Sequence, residues 1–164
     1  MNPIDVRDLL DRPGASRAVQ VHEGVPGLRL ELAGVPEDAP IHGDLLLESV
    51  VEGILVSGPI SGRLALSCAR CLTEFGTPLR IEVQELFAPG AGPEGEEYPL
   101  SVEGSIDIEP MVRDAVLLAV PFSPLCRPDC RGLCERCGGN RNLDRCSCTT
   151  QQADPRWAAL DNLF

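Results

Sequence analysis

The feature that most constrains this chain is its cysteine spacing. Six of the eight cysteines, Cys126, Cys130, Cys134, Cys137, Cys146 and Cys148, fall in one stretch from Leu125 to Cys148. The remaining two form a second Cys-x-x-Cys far upstream, Cys68-Ala69-Arg70-Cys71. Two thiolates at that spacing can face one ion, and the glycines after Cys137 allow the backbone to turn with positive φ. Eight thiols in four close pairs match two tetrahedral all-sulfur sites. In a reducing compartment such clusters read as metal ligands rather than disulfides. The spacing predicts Zn2+, as one or two ions, although four-thiolate tetrahedra also bind iron.

Two partitions of the thiols satisfy the spacing. In the first, Cys134, Cys137, Cys146 and Cys148 close a local site, and Cys126 and Cys130 join Cys68 and Cys71. In the second, Cys68 and Cys71 join Cys134 and Cys137. The first is preferred because it would staple a distant hairpin to the segment leaving a helix. A filled four-thiolate site has no open position for water or substrate, which makes the metal structural rather than catalytic.

Charge is unevenly spread. Residues 1–125 carry 8 Arg and 20 Asp or Glu, whereas residues 126–164 carry 6 Arg and 5 acids. The acidic body repels phosphate backbones and suits a basic protein partner. The tail's Arg127, Arg131, Arg136, Arg141 and Arg145 are candidates for RNA or partner contact. They equally serve to balance thiolate charge. All 14 basic residues are arginine, a bias that codon usage explains better than function does.

The pattern along the chain is α+β and mainly antiparallel β, a meander or partly closed barrel with one central helix. Val6, Leu9 and Leu10 have helical spacing over a short span, ended by Arg12-Pro13-Gly14. Strands are expected at 19–22, 28–32, 45–51, 53–56 and 60–67, with Ser57-Gly58-Pro59 as a break. A hairpin turning at Cys68–Cys71 returns through 73–87, and 98–102 adds a further strand. Residues 88–97 read as a solvated acidic loop. Acids and Pro110 open a helix that runs from Met111 to Ala119 and stops at Pro121. Asp154 and Pro155 open a short C-terminal helix that folds back through Trp157 and Leu160.

The resulting organisation is a β-rich body with its covering helix over 1–125, a Cys-rich metal-binding segment over 126–150, and a C-terminal helix over 151–164. These are read as one integrated domain. No secretory pattern opens the chain and its longest apolar run, 115–122, is too short to span a bilayer, so a cytoplasmic location is expected. His22 and His42 are read as isolated, ordinary residues. No phosphate loop, nucleophile elbow or His-Glu-x-x-His pattern occurs, and no enzymatic activity is expected.

Taken in order, several segments resemble one known family. They are Cys68-Ala69-Arg70-Cys71-Leu72, Val120-Pro121, Pro124-Leu125-Cys126, Gly132-Leu133-Cys134-Glu135-Arg136-Cys137-Gly138, Asn140-Arg141-Asn142-Leu143 and Asp154-Pro155-Arg156. Their order is similar to that of the YceD family, the large ribosomal RNA subunit accumulation proteins of bacteria and plastids. The resemblance implies a role in 23S rRNA accumulation and large-subunit assembly. Its implied partner is a ribosomal protein or pre-50S particle, with the 23S precursor RNA as an alternative and neither membrane nor DNA expected. Two further readings stand beside it: a direct RNA-binding zinc module, and a thiol/zinc redox switch.

Overall fold

The computed structural model describes residues 1–36, 39–91, 97–143 and 146–148. Within them the chain forms β1 (Ile4–Asp5), β2 (Ser16–Glu23), β3 (Ala33–Gly34), β4 (Ile41–Ser49), β5 (Ile54–Ser67), β6 (Glu74–Pro89), β7 (Tyr98–Leu100), β8 (Ser105–Ile106) and one helix, α1 (Glu109–Ala119). The sheet order is β1-β8-β7-β6-β5-β4-β2, with β3 paired to β5. Every pairing is antiparallel except β6 with β7.

The sheet curls into a half-barrel. Its two edge strands come within side-chain reach of each other: the Asn2 backbone N–H donates to the Glu23 carboxylate at 3.0 Å, and Arg17 Nη1 donates to Asp8 at 2.8 Å. Arg17 also donates to the Asp5 carbonyl. The concave side holds an aliphatic core that includes Ile41, Leu45, Leu47, Ile54, Val56, Ile60 and Phe87. These positions alternate with exposed ones along β4, as a sheet with one buried face requires.

The longest element is the β5–β6 hairpin, paired without interruption from Ile54↔Phe87 to Ser67↔Glu74. The break expected at Ser57-Gly58-Pro59 does not occur. Pro59 keeps its register with Glu82 on β6, while the β4 ladder skips from Gly43↔Ile60 to Leu46↔Ser57. The missing proline N–H therefore interrupts pairing on one side only. Gly58 allows the close approach there. With φ at 138°, its added Cβ would lie 2.3 Å from the Asp44 carbonyl oxygen.

Two other expectations give way. Residues 28–32 are not a strand but part of a tight fold-back, in which Leu30 N–H donates to Ala33 O at 2.7 Å and Val35 N–H to Leu28 O at 3.1 Å. The Val6–Leu10 stretch makes a single turn, with Val6 O accepting from Leu9 and Leu10. The left-handed φ of 59° at Asp11 then ends it.

Helix α1 begins where expected. Ile108 at its N-cap offers no side-chain acceptor, but Asp107 Oδ1 accepts from Glu109 N–H at 2.9 Å, and Glu109 and Pro110 occupy the first turn. Met111, Val112 and Val116 are buried, and the helix packs against β6. No helix among the described residues is long and apolar enough to cross a membrane. The C-terminal helix expected over 151–164 lies outside the described residues, as does the middle of the acidic loop.

Candidate metal centres

The long hairpin ends in a tight turn that aims two cysteines the same way. Cys68 N–H donates to Thr73 O at 3.0 Å and Leu72 N–H to Cys68 O at 2.9 Å, with Leu72 in the left-handed region at φ 58°. The chain leaving α1 then crosses this tip. Ala69 N–H donates to Pro124 O at 2.8 Å, Leu133 N–H to Arg70 O at 3.0 Å, and Arg70 Nη1 to Cys130 O at 3.0 Å. Gly132 is needed at the crossing, since it has φ 70° and an added Cβ would sit 3.1 Å from Arg70 O.

The crossing brings Cys126 and Cys130 onto Cys68 and Cys71, the first of the two partitions. All four sulfurs lie within 4.8 Å of one another. The Cys68–Cys130 and Cys71–Cys126 sulfurs are each 3.7 Å apart. A disulfide would need about 2.05 Å. A tetrahedron with metal–sulfur bonds of about 2.3 Å has edges of about 3.8 Å. The sulfurs thus stand at the separation a central ion requires. Cys68, Cys71 and Cys130 are buried, with Phe75, Leu125 and Leu133 packed around them.

Cys134, Cys137, Cys146 and Cys148 form the second group, also within 4.8 Å of one another. Its knuckle is a small hairpin: Gly138 N–H donates to Cys134 O and Cys134 N–H to Gly139 O, both at 2.8 Å, and Leu133 bridges to Asn140. Gly138 supplies the positive φ of 68°. This site is more open than the first, with Cys137 and Cys148 exposed. Both donor sets are four clustered soft thiolates, which fits zinc or iron and disfavours calcium or magnesium.

The electrostatics of each group point the same way. Burial pushes the Cys68 thiol up, yet backbone N–H groups of Cys126, Cys71 and Arg70 outweigh it and hold it at about 6. The Thr73 hydroxyl and N–H lower Cys71. Burial, followed by the sulfurs of Cys71, Cys68 and Cys130, drives Cys126 up to about 12. In the second group the N–H groups of Cys137 and Arg136 hold Cys134 at about 6. Cys148 is pushed up to about 12, first by Cys137 and then by burial and Cys134. Four thiolates so close repel one another, and a dication at their centre would remove that penalty.

Residues that the spacing of cysteines did not single out link the two groups. Asn142, in the loop of the second group, donates from Nδ2 to Cys130 Sγ at 3.3 Å. Its Oδ1 accepts from Arg127 Nη2 at 2.7 Å and from Arg131 N–H at 2.8 Å. Asn140 Oδ1 accepts from Asn142 Nδ2 at 2.8 Å, while Asn140 Nδ2 donates to Thr73 Oγ1 at 3.3 Å. Thr73 Oγ1 is in turn 3.3 Å from Cys71 Sγ. The glycines after Cys137 mark only a turn in the sequence; in the fold the stretch they open carries the outer contacts of the first site. Only the ordered segment Asn140-Arg141-Asn142-Leu143 hinted at this.

Among the candidate contact arginines, Arg127 is engaged internally with Asn142 and Asp129. Arg131, Arg136 and Arg141 are exposed, and Arg145 lies outside the described residues. The two histidines are not isolated: His22 and His42 face each other across β2 and β4, ring centroids 4.2 Å apart in a T-shaped pair. Register brought them together, which local spacing does not report.

The family described as large ribosomal RNA subunit accumulation protein YceD matches residues 56–164. An uncharacterised protein of Mycobacterium tuberculosis is 38% identical over 172 aligned residues, covering 96% of this chain and 78% of that protein. The chloroplastic large ribosomal RNA subunit accumulation protein YCED homolog 1 of Zea mays is 37% identical, covering 81% of this chain and 57% of its own. Its Arabidopsis thaliana counterpart is 36% identical over 66 residues, covering 40% and 20% respectively. No solved structure matches.

Proposed function

The chain belongs to the YceD family of large ribosomal RNA subunit accumulation proteins, and on that premise we propose that it is a non-catalytic, zinc-stabilised factor of large-subunit assembly. The family match over residues 56–164 carries this reading. In it, Cys68, Cys71, Cys126 and Cys130 hold one zinc, and Cys134, Cys137, Cys146 and Cys148 hold another. The 3.7 Å sulfur separations support the first of these, and the clustering of the other four sulfurs within 4.8 Å supports the second. With all four positions filled by sulfur, the first ion staples the β5–β6 tip to the chain beyond α1, the second closes a local loop, and neither leaves a site for a reacting water. Body, Cys-rich segment and C-terminal segment then behave as one integrated domain.

The acidic body, at a net charge of −11 for the whole chain, suits a basic ribosomal protein within a pre-50S particle, met in the cytoplasm. Depletion of the protein in growing cells is expected to lower 23S relative to 16S RNA. An unchanged ratio overturns the reading. Elemental analysis of protein purified without added metal is expected to find two zinc ions per chain, one for each sulfur group, and iron or no metal would overturn that part.

The exposure of Cys137 and Cys148 favours a second reading, a thiol/zinc redox switch. Peroxide would oxidise a thiolate pair to a disulfide, be reduced to water, and release the second ion. Mild peroxide that frees no zinc excludes it.

A further inference from the structure

The convex face of the sheet carries an ordered polar row that the metal sites do not use. The register places His22 of β2 opposite His42 of β4, His42 opposite Ser61 of β5, and Ser61 opposite Arg80 of β6. All four are exposed, as is Arg63, two residues along β5 on the same face. At strand spacings of about 4.8 Å the row spans about 14 Å across the sheet. The chain's two histidines and two of its arginines therefore share one stripe of an otherwise acidic body.

This stripe is shaped as well as charged. His42, Ser61, Arg63 and Arg80 line an open groove of about 820 Å³. The Arg63 guanidinium lies across Gly76, so closely that an added Cβ would stand 3.1 Å from its Nη2. Ion pairs among the described residues use Arg7, Arg17, Arg113 and Arg127 and leave Arg63 and Arg80 out. On the next row stand Asp44, which accepts from Gln20 at 3.0 Å, and Glu82; Glu74 lies on the groove's rim. These acids repel an anion beyond the stripe and weaken its hold on the two arginines.

We propose that His22, His42, Ser61, Arg63 and Arg80 form a contact surface for a single RNA strand crossing the sheet. The inference rests on the ribosomal-RNA reading above. Guanidinium forks match phosphate oxygens, and imidazole rings give nucleobases a flat partner to stack on. An acidic peptide would satisfy the arginines and could accept from the imidazole N–H groups, but its carboxylates cannot stack on the ring faces as a base does. The acids beside the stripe keep the footprint to a few phosphates, so affinity is modest and strongly salt-dependent.

The test uses the full zinc-loaded chain and a fluorescently labelled single-stranded RNA of mixed sequence, followed by anisotropy from about 20 mM salt upward. Binding at low salt is expected. The double variant Arg63→Gln/Arg80→Gln should weaken it about tenfold or more and flatten the log–log salt slope by about 0.7 per arginine. His22→Gln/His42→Gln should weaken it with little change in slope. Arg136→Gln/Arg141→Gln, on the Cys-rich segment, should leave it unchanged. Retained zinc and unchanged urea midpoints keep folding out of the comparison.

No binding at low salt overturns the proposal. So does loss only in the Arg136/Arg141 variant, or equal binding of a polyglutamate peptide at the same stripe. Failure here, with 23S still lowered on depletion, removes the surface and leaves the rRNA reading intact. An unchanged 23S-to-16S ratio removes that reading instead.

Discussion

Replacing Asn142 by alanine tests whether the two sulfur sites are physically joined. The side chain donates to Cys130 Sγ at 3.3 Å and to Asn140 Oδ1 at 2.8 Å. It also accepts from Arg127 at 2.7 Å and from Arg131 N–H at 2.8 Å. A hydrogen bond to a charged group contributes about 1.5–3 kcal/mol. Loss of an outer contact to a metal ligand typically costs about 10–100-fold in metal affinity, or about 1.4–2.7 kcal/mol. The two scales agree, so Asn142→Ala is expected to weaken zinc at the Cys68–Cys71–Cys126–Cys130 site by that factor.

Asn142→Asp sharpens the test. It keeps acceptors for Arg127 and Arg131 but removes the N–H donor and turns a carboxylate toward a thiolate, so its loss should be at least as large. Because Asn142 is carried by the second site's loop, Cys137→Ser/Cys148→Ser should also loosen the first site. Competition against a chromophoric zinc chelator, resolving the two ions by affinity, reads all three. First-site affinities within about twofold of wild type for both Asn142 variants would refute the coupling.

Three other outcomes follow from local geometry. Gly58→Ala would drive a Cβ to 2.3 Å from the Asp44 carbonyl at φ 138°; denaturant unfolding should show a loss of about 3 kcal/mol or more, since the contact is backbone and the conformation strained. Zinc loading at pH 7 should release protons from at least Cys126 and Cys148, which stand at about 12 without an ion. Calorimetry in buffers of different ionisation enthalpy measures this, and affinity should rise with pH. Glu109 is held below its usual value, first by the Met1 ammonium and then by Arg113. Its contribution to stability is therefore present above the ordinary carboxylate pKa and lost as pH falls through the depressed one. Urea midpoints of wild type and Glu109→Gln should converge as the solution is acidified.

Much of the fold was legible in the sequence because its signals are local. The aliphatic run expected as a strand over 45–51 falls on β4, which starts earlier at Ile41, alternation around 79–84 marks β6, and Pro110 and Pro121 bracket α1 within a residue or two. The fold-back at 28–35 and the unbroken strand through Gly58-Pro59 were not legible. Each depends on which neighbour a strand has on each side, and the chain around Pro59 loses pairing to β4 while retaining it to β6.

The cysteine spacing by itself marked four close pairs, two of them Cys-x-x-Cys, as sulfurs able to face common centres, because gaps of one to three residues let both thiols of a turn point the same way. It left two ways to share them. Tertiary structure decided between these: the Ala69–Pro124 and Arg70–Leu133 backbone bonds lay the chain after α1 across the hairpin tip, carrying Cys126 and Cys130 to Cys68 and Cys71. The same long-range register set His22 against His42 and made Asn142 a partner of Cys130. Such contacts join residues far apart in the chain, so no periodicity records them, and only the folded sheet brings them within bonding distance.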